Sequence, residues 1–99
     1  MAAGDVFIVT PTTVTNGNYL DVRPAASVEV SIHNLYWGGD SGIEVYIYDG
    51  SNRLGPIFTD TAKGGWINLN AHATNSIYYQ IKNTSGASMF MSADGMTTK

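Results

Sequence analysis

Apolar and polar residues alternate with a period of two along most of this chain, and no stretch carries a convincing helical period. Val28, Val30 and Ile32 alternate with Glu29, Ser31 and His33, as in a strand with one face buried and one wet. Ile43, Val45 and Ile47 alternate with Glu44, Tyr46 and Tyr48, and Ile77, Tyr79 and Ile81 with Tyr78, Gln80 and Lys82. Shorter runs predict strands at Val6–Thr10, Tyr19–Val22, Pro56–Thr59, Trp66–Leu69 and Ser88–Ser92. These runs are filled with the β-branched and aromatic residues that strands favour. Ala71 to Thr74 is the one helix-tolerant stretch, and it is too short to matter.

Turn chemistry separates the runs. Asn16-Gly17, Asp49-Gly50 and Asp94-Gly95 can supply the positive φ values of tight turns. Gly38 to Gly42 and Lys63-Gly64-Gly65 read as looser connections, while Pro11 and Pro24 stand at strand margins, where a missing N–H is tolerated. About eight short strands spaced roughly ten residues apart predict an all-β fold: a single antiparallel β-sandwich, jelly-roll-like, over residues 1–99. Residues 1–5 read as an N-terminal arm able to reach a neighbour.

Composition narrows the function classes. Charged residues are 13% of the 99 positions, about half the usual share. Ten Thr, eight Ser, eight Asn and eleven Gly leave a surface of hydroxyls, amides and backbone. A hydrophobic content of 43% excludes charge-driven disorder. A net charge of −3 with five Lys and Arg excludes nucleic-acid binding through a basic patch. Without cysteine, thiol chemistry and disulfides drop out. The longest apolar run, Val6 to Val9, is far short of the ~20 residues of a membrane helix, and the start shows no secretion signal. The expectation is a soluble domain that neither enters a membrane nor binds nucleic acid.

Catalytic patterns are missing. His33 and His72 have no H-x-H or H-x-x-x-H spacing to make a metal pair. Ser41 lacks the strand–turn–helix context of a nucleophile elbow. Neither glycine cluster leads into a helix that could hold a phosphate. Asp49-Gly50-Ser51-Asn52 lacks the regular acids of a calcium loop and reads as an Asx turn. Asn83-Thr84-Ser85 matches a glycosylation sequon but reads as a turn. No enzyme activity, cofactor or metal is expected.

The aromatics suggest two uses. Trp37 and Trp66 flank glycine-rich loops and could stack on sugar rings, with Asp40, Asn68 and Asn70 supplying hydrogen bonds to a glycan. A thin sandwich needs the same aromatics for its core. A second candidate lies near the C-terminus, where Met89, Phe90 and Met91 are consecutive and interrupt the alternation. That run predicts a strand covered by the core on one side and by a neighbouring subunit on the other, with Phe90 outward.

Six strings in order support an assembly role by resemblance. They are Tyr19-Leu20-Asp21-Val22-Arg23-Pro24, Ile32-His33-Asn34-Leu35-Tyr36, Asp49-Gly50-Ser51-Asn52, His72-Ala73-Thr74-Asn75, Ile81-Lys82-Asn83 and Asp94-Gly95-Met96-Thr97-Thr98-Lys99. Together, from about Tyr19 to Lys99, they resemble a group of small proteins encoded by tailed bacteriophages. The resemblance implies a virion structural protein: a capsid decoration or cement protein, or a small tail or fibre component. Its partners would then be further copies of itself and a major capsid or tail protein, and its location the virion. With Lys82 the lone lysine in a well-defined strand, the sheet edges, loops and terminal arm are the contacts expected of it.

Overall fold

The computed structural model describes residues 3–38, 42–60 and 64–99. Among the described residues the chain forms nine strands and no helix. They are β1 (Val6–Val14), β2 (Tyr19–Val22), β3 (Glu29–Trp37), β4 (Ile43–Tyr48), β5 (Arg53–Asp60), β6 (Gly64–Trp66), β7 (Ala71–Thr74), β8 (Tyr78–Asn83) and β9 (Met89–Thr97). All pairings are antiparallel. One sheet runs β1-β9-β3-β6, with β7 also on β3, and the other runs β2-β8-β4-β5.

The pairs nest. β1 lies on β9, β2 on β8, β3 on β6 and β7 together, and β4 on β5. Treating β6 and β7 as one interrupted strand gives a long hairpin rolled into two sheets, which is jelly-roll connectivity. The expected sandwich is therefore present, with nine strands where about eight were read. Ile32, Leu35 and Met91 from one sheet face Ile43, Val45 and Ile81 from the other, all fully buried.

Several local readings change. Asp94-Gly95 is not a turn: both residues lie inside β9, opposite β3. The β3–β9 register skips His33, so Ile32 pairs Gly95 and Asn34 pairs Asp94. This bulge shifts the inward phase of β3 from Val30 and Ile32 to Leu35 and Trp37. A side chain cannot replace Gly95, since a Cβ there would lie 2.0 Å from the Ser31 carbonyl oxygen. Gly64 and Gly65 belong to β6, and the 67–69 segment expected in a strand lies outside one. Ala71–Thr74 is a strand, held by pairing to β3 that its own composition does not announce. Ile77, expected inward, is exposed ahead of β8.

The turns read as Asn16-Gly17 and Asp49-Gly50 do contain positive-φ glycines, at 84° and 94°. Asp49 Oδ1 accepts from the Ser51 and Asn52 amides at 2.9 and 2.6 Å, the Asx turn the sequence suggested. Those two bonds hold the Asp49 carboxyl below the usual range. Asn83 is fully buried; its amide donates to Val14 O at 2.8 Å and Ala87 O at 2.6 Å. Its side-chain oxygen accepts from Ser85, so it ties the β8–β9 loop to β1 and offers no free amide for a glycan.

Candidate functional site

In antiparallel strands, side chains at paired positions share a face. Outward on β9 are Phe90, Ser92, Asp94 and Met96. Their neighbours across the ladder are Val6 beside Met96, Ile8 beside Asp94 and Thr13 beside Phe90 on β1, and Ser31, Asn34 and Tyr36 on β3. The outer face of the five-stranded sheet thus exposes Phe90 (64%), Val6 (64%), Ile8 (63%) and Met96 (43%), with part of Tyr36. Large exposed apolar residues grouped on one face mark a contact surface rather than ordinary scatter.

Few charges interrupt it. Along the described outward positions of β1, β9 and β3 the carboxylates are Asp94 and, at the margin, Glu29. Asp94 Oδ1 accepts from Asn34 Nδ2 and Oδ2 from the Tyr36 hydroxyl, each at 2.7 Å. The bond to Asp94 raises the Tyr36 pKa above its ordinary value. Glu29 lies 3.8 Å from Lys99 Nζ. Both carboxylates therefore have partners within the chain: Glu29 an ammonium group, and Asp94 two neutral donors that occupy its oxygens while its charge remains.

A shallow depression of about 350 Å³ indents the face where β3 and β9 pass the bulge in β1. Pro11, Tyr36, Gly38, Phe90 and Ser92 line it, and Trp37 and Met91 form its floor. The lining is nearly all apolar, which suits a side chain of a protein partner better than a sugar.

The other outer face, on the four-stranded sheet, is finished differently. The Arg53 guanidinium lies over both the Tyr19 and Tyr48 rings, 4.4 Å from each centroid. Its Nε donates to Gln80 Oε1 at 2.8 Å, and Gln80 Nε2 donates to Asp21 Oδ1 at 2.8 Å. Arg23 covers Tyr78 at 4.7 Å. The Tyr46 hydroxyl donates to Glu44 at 2.6 Å, a bond that pushes its pKa up to about 12. These side chains already stack on and bond to one another.

The residues singled out in the sequence separate into groups. Met89 and Met91 are buried and Phe90 points outward, as the consecutive run predicted. Trp37 is a correction as a sugar platform: at 3% exposure it packs in the core, 5.9 Å from the Phe58 ring. Trp66 is half-buried and stacks on Phe58 at 4.5 Å, closing the gap between β5 and β6. Asn68 and Asn70 are exposed on the following segment. The Asn68 amide donates to Asn34 Oδ1, and Asn70 Oδ1 accepts from Ser31 Oγ at 3.5 Å. Asp40 lies outside the described residues; among the described members of the glycan set, neither tryptophan is an exposed ring.

The terminal arm and the edges also differ from expectation. Met1 and Ala2 lie outside the described residues, while Gly4 N donates to Thr97 O at 2.7 Å and Asp5 O accepts from Thr97 N at 2.8 Å. From Gly4 onward the arm extends the sheet instead of leaving it. Lys82 is on β8, interior to its sheet, so it guards no edge. The edges are blunted by Pro11 in β1, by Pro56 in β5 and by the shortness of β2, β6 and β7. Sequence reasoning missed Tyr36 beside Phe90 at one end of this face, and Val6 and Ile8 beside Met96 and Asp94 at the other, because their meeting depends on strand order.

His33 and His72 are exposed, and no cluster of three potential metal ligands occurs among the described residues. No protein-family model matches the chain, and no curated protein matches it in sequence.

Proposed function

We propose that this chain is a non-enzymatic structural subunit of a tailed-phage virion, acting through multi-copy protein–protein contacts. In that role it is a capsid decoration or cement protein, or a small tail or fibre component. The observation that carries the contact role is the exposed apolar group of Val6, Ile8, Phe90 and Met96 on one sheet face. Interface centres are poor in Lys, Glu and Asp and rich in aromatics and Met, and this face carries Phe90, Tyr36 and Met96 with a single carboxylate, Asp94, between Phe90 and Met96 on β9. The virion setting comes from the resemblance carried by the six strings from Tyr19 to Lys99. Jelly rolls serve in both capsids and lectins, so the fold favours neither role by itself.

Mass spectrometry of purified particles tests the setting, and co-sedimentation of the full chain with particles lacking it tests the contact. The chain should be present in many copies per particle and should saturate a fixed number of sites. Phe90→Asp should abolish co-sedimentation. Absence from particles, or undiminished binding by Phe90→Asp, would overturn the proposal.

A further inference from the structure

We propose that the outer face of the five-stranded sheet is covered by the same face of a second copy, in a two-fold pair that stacks two sandwiches sheet to sheet. The inference rests on the reading that this face makes protein contacts, and it names the partner. In a two-fold pair the same patch serves both subunits and must complement itself. A patch rich in one sign of charge would repel its own copy. Here Asp94, hydrogen-bonded to Asn34 and Tyr36, is the one carboxylate on the described outward positions of β1, β9 and β3 without a cationic partner. Glu29 is beside Lys99, and the other outward positions are apolar, hydroxyl, amide or, at His72 on β7, imidazole.

Size and shape agree. The molecule measures 37 × 26 × 20 Å, and 20 Å is the thickness of two packed sheets with their side chains. The broad face is then at most about 1,000 Å², against the roughly 800 Å² per partner that a standard stable interface buries. Large side chains lie next to smaller ones at both ends of the face: Val6, Ile8 and Met96 beside Ser31 and Asn34, and Tyr36 and Phe90 beside Ser92 and Thr13. Turning a second copy over can set large positions of one face against small positions of the other, as facing sheets interdigitate inside a sandwich. The depression between Pro11 and Tyr36 then receives a large apolar side chain from the other copy. An edge-to-edge pair has less to offer, because Pro11 and Pro56 remove backbone donors at both long edges.

Sedimentation equilibrium of the full chain at about 100 µM, well above a micromolar Kd, should give twice the 10.6 kDa chain mass. Phe90→Asp and Ile8→Lys should each give the single-chain mass, with melting unchanged in protein dilute enough that the unsubstituted chain is also single, since both residues are exposed. The chain has no cysteine, so an introduced thiol reports on one position only. Ile8→Cys should react with a maleimide about tenfold more slowly in concentrated than in dilute protein. Thr59→Cys, exposed on the other sheet, should react equally in both. A single-chain mass for the unsubstituted protein, a pair that survives both substitutions, or equal Ile8→Cys reactivity would overturn the inference. If that single chain still binds particles through Phe90, only the partner is wrong and the structural role stands. If a pair forms through this face but the chain is absent from particles, the virion role fails and the pair remains.

Discussion

On the four-stranded sheet, Arg53 lies between Tyr19 and Tyr48 and passes a hydrogen bond through Gln80 to Asp21. On the five-stranded sheet, Phe90, Val6 and Ile8 project from their strands into solvent. Both faces come from alternating strands of similar composition, and both carry outward aromatics. The difference is whether the outward side chains satisfy one another. Guanidinium over tyrosine and amide to carboxylate are contacts made within the chain, so the β2-β8-β4 part of the four-stranded face is satisfied as it stands, with Leu54 and Ile57 exposed only on its edge strand β5. Phenylalanine, valine, isoleucine and methionine have no polar neighbour to bond and lower their free energy by leaving water. Counting outward aromatics would favour the four-stranded face, with Tyr19, Tyr46, Tyr48 and Tyr78, whereas counting contacts among them assigns that face to stability and the other, with exposed Tyr36 and Phe90, to association.

Substitutions should separate the two roles. Phe90→Asp has the largest expected effect on association, complete loss of the pair by light scattering, with a melting temperature, measured in protein too dilute to pair, within the small range of surface changes. A coupled loss of stability would mean that Phe90 supports the fold and that the faces are not functionally distinct. Gly95→Ala should lower stability by about 3 kcal/mol in urea unfolding, because the methyl group meets the Ser31 backbone. Arg53→Ala should cost about 1 kcal/mol through its two ring contacts and its bond to Gln80, and leave association unchanged. Weakened association would show that the four-stranded face also docks.

Two titrations give smaller effects. In Glu44→Gln the Tyr46 phenol should fall from about 12 toward its ordinary 10, read by ultraviolet absorbance. A change in subunit mass at that substitution would tie this network to assembly. Asp49 is an acid with a lowered folded pKa, so its stabilising share is complete above the ordinary carboxylate pKa. It should disappear as pH falls through the lowered value, as carboxyl chemical shifts can follow, with the pair unaffected.

Particular residues show what was readable along the chain. Val28, Val30 and Ile32 were recognisable as a buried row, and Tyr19–Val22 matches β2 end to end. Phe90 between two methionines identified an outward apolar residue before any tertiary contact was known. Asp94-Gly95 misled because the same dipeptide suits a tight turn and a close approach of two backbones. Trp37 misled because a glycine-rich loop follows it, although the bulge at His33 rotates that end of β3 into the core. Ala71–Thr74 carries little strand propensity and is placed by its pairing to β3.

The period-two pattern, the turn residues and the low charge were enough by themselves to determine an all-β sandwich and a surface poor in charge. They act over a few residues, through backbone geometry and side-chain polarity, so they can be read in order along the chain. Which outward rows became neighbours was decided only by the tertiary structure. Rolling the nested hairpin brings Val6 and Ile8 beside Met96 and Asp94, and Arg53 beside Gln80 and Asp21. Those residues are tens of positions apart, and strand order and register, not local preference, determine whether an exposed side chain finds a partner within its own chain.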